Sequence, residues 1–117
     1  MPLSHQECVS IVSAHLTTDE AAEAVAYTAE EIVPQGTRLK FPGVSVDMPW
    51  KGLLAFVDRH PTANWTHECR YLLVNCDTGD IHSIEAKLPP FRPNSEIRWR
   101  LMYKAPSVPT SVLPITQ

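Results

Sequence analysis

Apolar residues in the first third of the chain recur every three or four positions, and from Gly36 onward they alternate with polar ones, so the pattern predicts helix first and sheet afterwards. Ser4-His5-Gln6-Glu7 fits a capping box, in which the Ser4 hydroxyl accepts from first-turn amides and Glu7 reaches back to the Ser4 N–H. Cys8, Val9, Ile11, Val12, His15 and Leu16 follow as one stripe. Thr17-Thr18-Asp19-Glu20 repeats the capping signal. Beyond it Ala21, Ala22, Val25, Ala26, Ala29 and Ile32 predict a second or bent helix that lies close to a sheet, with Asp19, Glu20, Glu23, Glu30 and Glu31 facing away and Pro34 and Gly36 as its stop.

After Gly36 the period becomes two. Leu39 and Phe41, then Val44, Val46 and Met48, predict short or edge strands punctuated by Pro42-Gly43 and Pro49. Lys51 to Asp58 is apolar on both faces and predicts a central strand. Cys69 to Asn75 and Ile81 to Leu88 flank Cys76-Asp77-Thr78-Gly79-Asp80, a turn with a side chain able to bond its own backbone and a glycine free to take positive φ. Ile81 is out of phase with Ile84, Ala86 and Leu88, which predicts a bulge just after that turn. Ile97 to Lys104 alternates with a basic outer face and reads as an edge strand. The expectation is an α+β domain over 1–104, an N-terminal helical segment on an antiparallel sheet of four to five strands, with 105–117 as a Pro-rich extended tail or linker.

Composition narrows the partners. The chain has 117 residues, 44% of them hydrophobic and 20% charged, enough for one domain with its own core. A net charge of -3 without a Lys/Arg cluster removes the footprint that nucleic acid requires. The longest apolar run, Leu53 to Val57, falls far short of the roughly 20 residues that span a bilayer, and the N-terminus lacks a basic-then-apolar leader. A soluble, cytoplasmic protein without a membrane partner is expected. Three cysteines, Cys8, Cys69 and Cys76, are then expected as free thiols; Cys69 and Cys76 sit on one predicted strand, roughly 20 Å apart when extended.

The helix-then-sheet order resembles the cystatin-like and PepSY-like α+β architectures. Tyr71-Leu72-Leu73-Val74-Asn75-Cys76-Asp77-Thr78-Gly79-Asp80-Ile81 is similar to the hairpin of PepSY-type domains, where an aromatic and apolar strand enters an Asp-x-x-Thr-Gly-like turn. Such domains are commonly found beside peptidases as pro-segments or inhibitors, so the resemblance implies protein binding with no chemistry of its own. The chain departs from the pattern in carrying Trp65-Thr66-His67-Glu68-Cys69 before the hairpin, and it has no cystatin-type inhibitory loop with central glutamine and glycine.

Residues able to carry other chemistry are few. His67 and Cys69 share a strand face, the arrangement of a histidine that activates a thiol, but such neighbours stand nearly 7 Å apart. His60, His67, Cys69, Cys76 and His82 are zinc-ligand types without finger or ribbon spacing; His60, His67 and Cys69 are the candidate ligands, with zinc as the implied cofactor. Asp58, Glu68, Asp77, Asp80 and Glu85 read as solvated or capping carboxylates. Asn64-Trp65-Thr66 is a formal sequon. Trp50 and Trp65 stand beside turns, where an indole covers a core edge or meets a partner, and with Tyr71 and Trp99 they are the candidate binding residues. Val108, Val112, Leu113 and Ile115 in the tail could add to another sheet or lie in a groove, a route to a homo-oligomer.

These readings favour a non-enzymatic protein-binding module, an inhibitor, pro-domain or accessory domain whose partner is another protein such as a peptidase. The competing expectation is a small-molecule or enzymatic cavity between sheet and helix that uses His60, His67, Cys69 or His82, with or without a metal.

Overall fold

The computed structural model describes residues 3–41, 43–59, 68–87, 90 and 97–109. Both capping boxes form. Ser4 starts α1 (His5–His15), with its hydroxyl accepting from Glu7 N, and Thr17 starts α2 (Thr18–Glu23), with its hydroxyl accepting from Glu20 N. Seven strands follow among the described residues: β1 (Val25–Ala29), β2 (Arg38–Phe41), β3 (Val44–Asp47), β4 (Gly52–Asp58), β5 (Cys69–Asn75), β6 (Ile81–Ala86) and β7 (Trp99–Lys104). Five of them make an antiparallel sheet in the order β6-β5-β4-β1-β7, and β2 and β3 form a separate hairpin. The expected α+β fold is therefore present, with β4 inside the sheet and β7 at its end.

The second helical segment is much shorter than its alanine content predicts. α2 stops at Glu23, and Val25–Ala29 is a strand between β4 and β7. Every residue of β1 is buried: Val25, Tyr27 and Ala29 face one core cluster and Ala26 the other. A strand covered on both faces shows no polar alternation, and a short apolar run of this kind imitates a helix face. Pairing with β4 and β7 outweighs the few tenths of a kcal/mol per residue by which alanine prefers helix.

The sheet is a middle layer. On one face α1 lays down Cys8 and Val12 against Ala26, Leu53, Leu72 and Val74, all with no exposed surface. On the other, the β2–β3 hairpin sets Leu39 and Phe41 over Tyr27, Phe56, Tyr71 and Trp99. The Phe41 and Tyr71 rings stack with centroids 4.4 Å apart and planes 9° from parallel. This arrangement also removes the bulge expected at Ile81. Pairing runs unbroken from Cys69↔Ala86 to Val74↔Ile81; Ile81 packs toward the helix, while Ile84 and Ala86 pack toward the hairpin. The register shift lies instead between Ala26 and Tyr27, against β7.

The β5–β6 turn is built as its sequence suggests. Gly79 takes φ +81°, the Thr78 hydroxyl accepts from Asp80 N at 3.2 Å within the turn, and Asn75 at the strand end adds its Oδ1, which accepts from Asp77 N at 2.8 Å and Thr78 N at 3.2 Å. The start of the 105–117 segment is docked: Ala105 N donates to Ala24 O, Ser107 Oγ donates to Ala22 O, and Val108 is buried. Val112, Leu113 and Ile115 lie outside the described residues.

Gly52 tests the β4–β5 packing. A Cβ at that position would stand 1.8 Å from the Val74 carbonyl oxygen, which belongs to the neighbouring strand's backbone and cannot turn aside. Gly52→Ala is expected to lower the unfolding free energy by about 3 kcal/mol or more. Urea denaturation followed by tryptophan fluorescence measures it, and an unchanged midpoint would contradict this packing.

Candidate functional site

The most highly organised polar group in the described residues grows out of the second capping box. Placing Glu20 at the third helical position turns its carboxylate back toward Thr17, where Oε1 accepts from Thr17 N at 2.9 Å. From β5, Arg70 donates through Nη2 to the same oxygen at 2.6 Å and through Nε to Oε2 at 2.8 Å, a two-pronged pair. From the end of β4, Arg59 Nε donates to Oε2 at 3.0 Å. These four bonds fill the acceptor sites of a side chain that is 2% exposed.

The two guanidiniums extend the group outward. Arg70, 7% exposed in its side chain, also donates from Nη2 to the His15 carbonyl at the C-terminus of α1, where a cation offsets the helix dipole. Arg59 grips Glu85 of β6 with both Nη atoms, at 2.7 and 3.3 Å. Burial works to raise the Glu20 pKa, but the hydrogen bonds from Arg70, Thr17 and Arg59 outweigh it and hold the carboxyl below the usual range. The Arg59 guanidinium is pushed further up by Glu85 and then Glu20, against its own desolvation.

Beside this group opens a cleft of about 330 Å³ lined by Thr17, Asp19, Glu20, Glu23, Arg59 and Glu68. Glu20 and Arg59 are engaged in it, whereas Asp19, Glu23 and Glu68 are exposed and form no ion pair among the described residues. The cleft is thus acidic in balance over a fixed floor. It can attract and orient a cationic group.

The described candidate binding residues and Cys69 do not line this cleft. Tyr71 is fully buried and Trp99 is 7% exposed, both within the aromatic core. Trp50 is half-buried against the same cluster, and its indole Nε1 is enclosed without an acceptor among the described residues. Trp65, His60 and His67 lie outside the described residues. Cys69 is a buried free thiol on the hairpin side of the sheet, pushed up to about 12 by burial and then by Asp58, which favours its protonated form. Among the described residues no three His, Cys, Asp or Glu side chains gather as metal ligands, and no helix is long and apolar enough to cross a membrane.

Glu20 was expected on the solvent face of a helix, yet it is the most enclosed carboxylate described. The signal available for the group was Arg70, a charge inside the apolar run from Cys69 to Val74, which must find a partner when the strand is buried. Comparison with protein-family models, curated proteins and solved structures finds no match, and the reading of the cleft rests on its geometry.

Glu20→Gln leaves two guanidiniums facing a neutral amide and is expected to cost about 3–5 kcal/mol in stability. The folded carboxyl titrates below its ordinary 4.5, so its contribution is complete above that pH and is lost as pH falls through the lower, folded value. Denaturant midpoints of wild type and variant should therefore converge on acidification below about pH 4.5. A constant gap down to acid unfolding would show that the Glu20 charge adds nothing.

Proposed function

We propose that the chain is a non-enzymatic protein-binding module, an inhibitor, pro-domain or accessory domain whose partner is another protein of the peptidase class. The observation that carries this reading is a juxtaposition at Arg59, which joins Glu20 on the floor of the cleft to Glu85 on β6, the terminal strand of the sheet. An acidic cleft and a sheet edge stand side by side. A partner segment in extended form could pair with the β6 backbone while placing lysine or arginine side chains over Asp19, Glu23 and Glu68. Main-chain pairing would supply affinity and the carboxylates would supply orientation and selection.

The cavity alternative finds less support in the packing. The space between α1 and the sheet is filled by Cys8, Val12, Leu53, Ala55, Leu72 and Val74, none of which retains exposed surface. A binder that works from its rim fits this better than one that encloses its ligand.

Titration of the chain into cysteine, serine and metallo-peptidases, read by inhibition and by gel filtration, tests the proposal. A complex with one class is expected, weakening by about tenfold when salt is raised from roughly 50 to 500 mM and by a similar factor in Glu23→Lys/Glu68→Lys. No complex with any class, or one indifferent to salt and to the charge reversal, would sink it.

A further inference from the structure

Cys8 and Cys76 are far apart in the sequence and meet in the core, with Sγ atoms 3.4 Å apart and exposures of 0% and 3%. Backbone bonds hold each of them: Cys8 N donates to Ser4 O at 3.0 Å within the first turn of α1, and Cys76 N donates to Lys51 O at 3.1 Å beside β4. The third thiol, Cys69, belongs to the cluster on the opposite face of the sheet and does not compete for either. All three are free thiols.

We propose that Cys8 and Cys76 are a disulfide-forming pair, an oxidation site that fastens α1 to the end of β5. The sulfurs need to close from 3.4 Å to the roughly 2.05 Å of a covalent bond, a displacement that small adjustments of the two side chains supply. The oxidant is a low-molecular-weight disulfide such as oxidised glutathione. One protein thiolate attacks a sulfur of this disulfide, breaks its S–S bond and releases one reduced glutathione. The second protein thiolate then displaces the other glutathione from the mixed disulfide. Two protein thiols lose two protons and two electrons, and the oxidant becomes two thiols.

Burial and then the Cys76 thiol push Cys8 up to about 12, so reaction proceeds from states in which α1 has lifted from the sheet. Such opening is local, since Cys8 and Val12 are the two residues of α1 that are buried. The closed form would then trap the helix in place.

Unfolding in urea and refolding into graded mixtures of oxidised and reduced glutathione removes access as a variable. After acid quenching, intact mass and non-reducing peptide mapping should show a loss of about 2 Da and a Cys8–Cys76 linked peptide. The link should persist in Cys69→Ser and vanish in Cys8→Ser. The bridge closes a loop of about 70 residues, so the oxidised protein should melt roughly 10 °C above the reduced one. Free thiols or glutathione adducts alone across the series, a bridge that includes Cys69, or a bridged form that melts no higher would each overturn the proposal.

Discussion

A guanidinium in the middle of a sheet must be answered, and the answer given to Arg70 organises the helical side of this protein. Its strand neighbours Cys69 and Tyr71 are fully buried, and Arg70 itself is 6% exposed. Leaving such a charge unpaired costs several kcal/mol, whereas pairing it with Glu20 through two parallel bonds roughly recovers the loss. The pair adds little net stability over apolar packing, but it defines position. α2 has to sit where its third residue reaches β5, and α1 has to end where the His15 carbonyl receives the second Nη2 proton.

The same carboxylate also sets the character of the cleft. With its acceptor sites occupied by Thr17, Arg59 and Arg70, Glu20 is a fixed floor that is unavailable to a visiting cation. The charge left to act on solvent belongs to Asp19, Glu23 and Glu68 around the opening. A buried, fully bonded base with exposed acidic side chains at its margin suits a surface that selects by charge. Strands β1, β4 and β5 are covered on both faces and have no surface to offer, which moves recognition to β6 and the helix junction beside it.

What could be read from the sequence follows how local the determining interaction is. The capping boxes at Ser4 and Thr17, the turn at Gly79 and the two-faced strand at Leu53–Val57 are set by residues within a few positions of one another, and all four form. β1 was misread because its identity depends on β4 and β7 lying alongside, and Val-Ala-Tyr-Thr-Ala carries no polar beat to report that. Glu20 was misassigned for the same reason: the cation that draws it inward is 50 residues away. Asn75 adds a side-chain bond that the sequence reading did not include, since an Asx residue at the strand end reaches amides two and three residues on. The meeting of Cys8 and Cys76 had no sequence signal at all, being a product of helix docking.

Helix α1 is held differently at its two ends. At its C-terminus the restraint is ionic: Arg70 binds the last turn only while Glu20 keeps the guanidinium aimed, so that end answers to protonation of one carboxyl. Near its N-terminus the restraint is the apolar seat of Cys8 beside Cys76, together with the His5 ring, whose Nε2 lies 3.2 Å from the Ala29 carbonyl as a donor. That end can be made permanent by oxidation. Because α2 and the cleft follow α1 through only Leu16 and Thr17, fixing the first helix narrows the positions from which Asp19 and Glu23 present their charges. A bridge at the far end of α1 would therefore pre-organise the acidic opening without touching any residue that lines it.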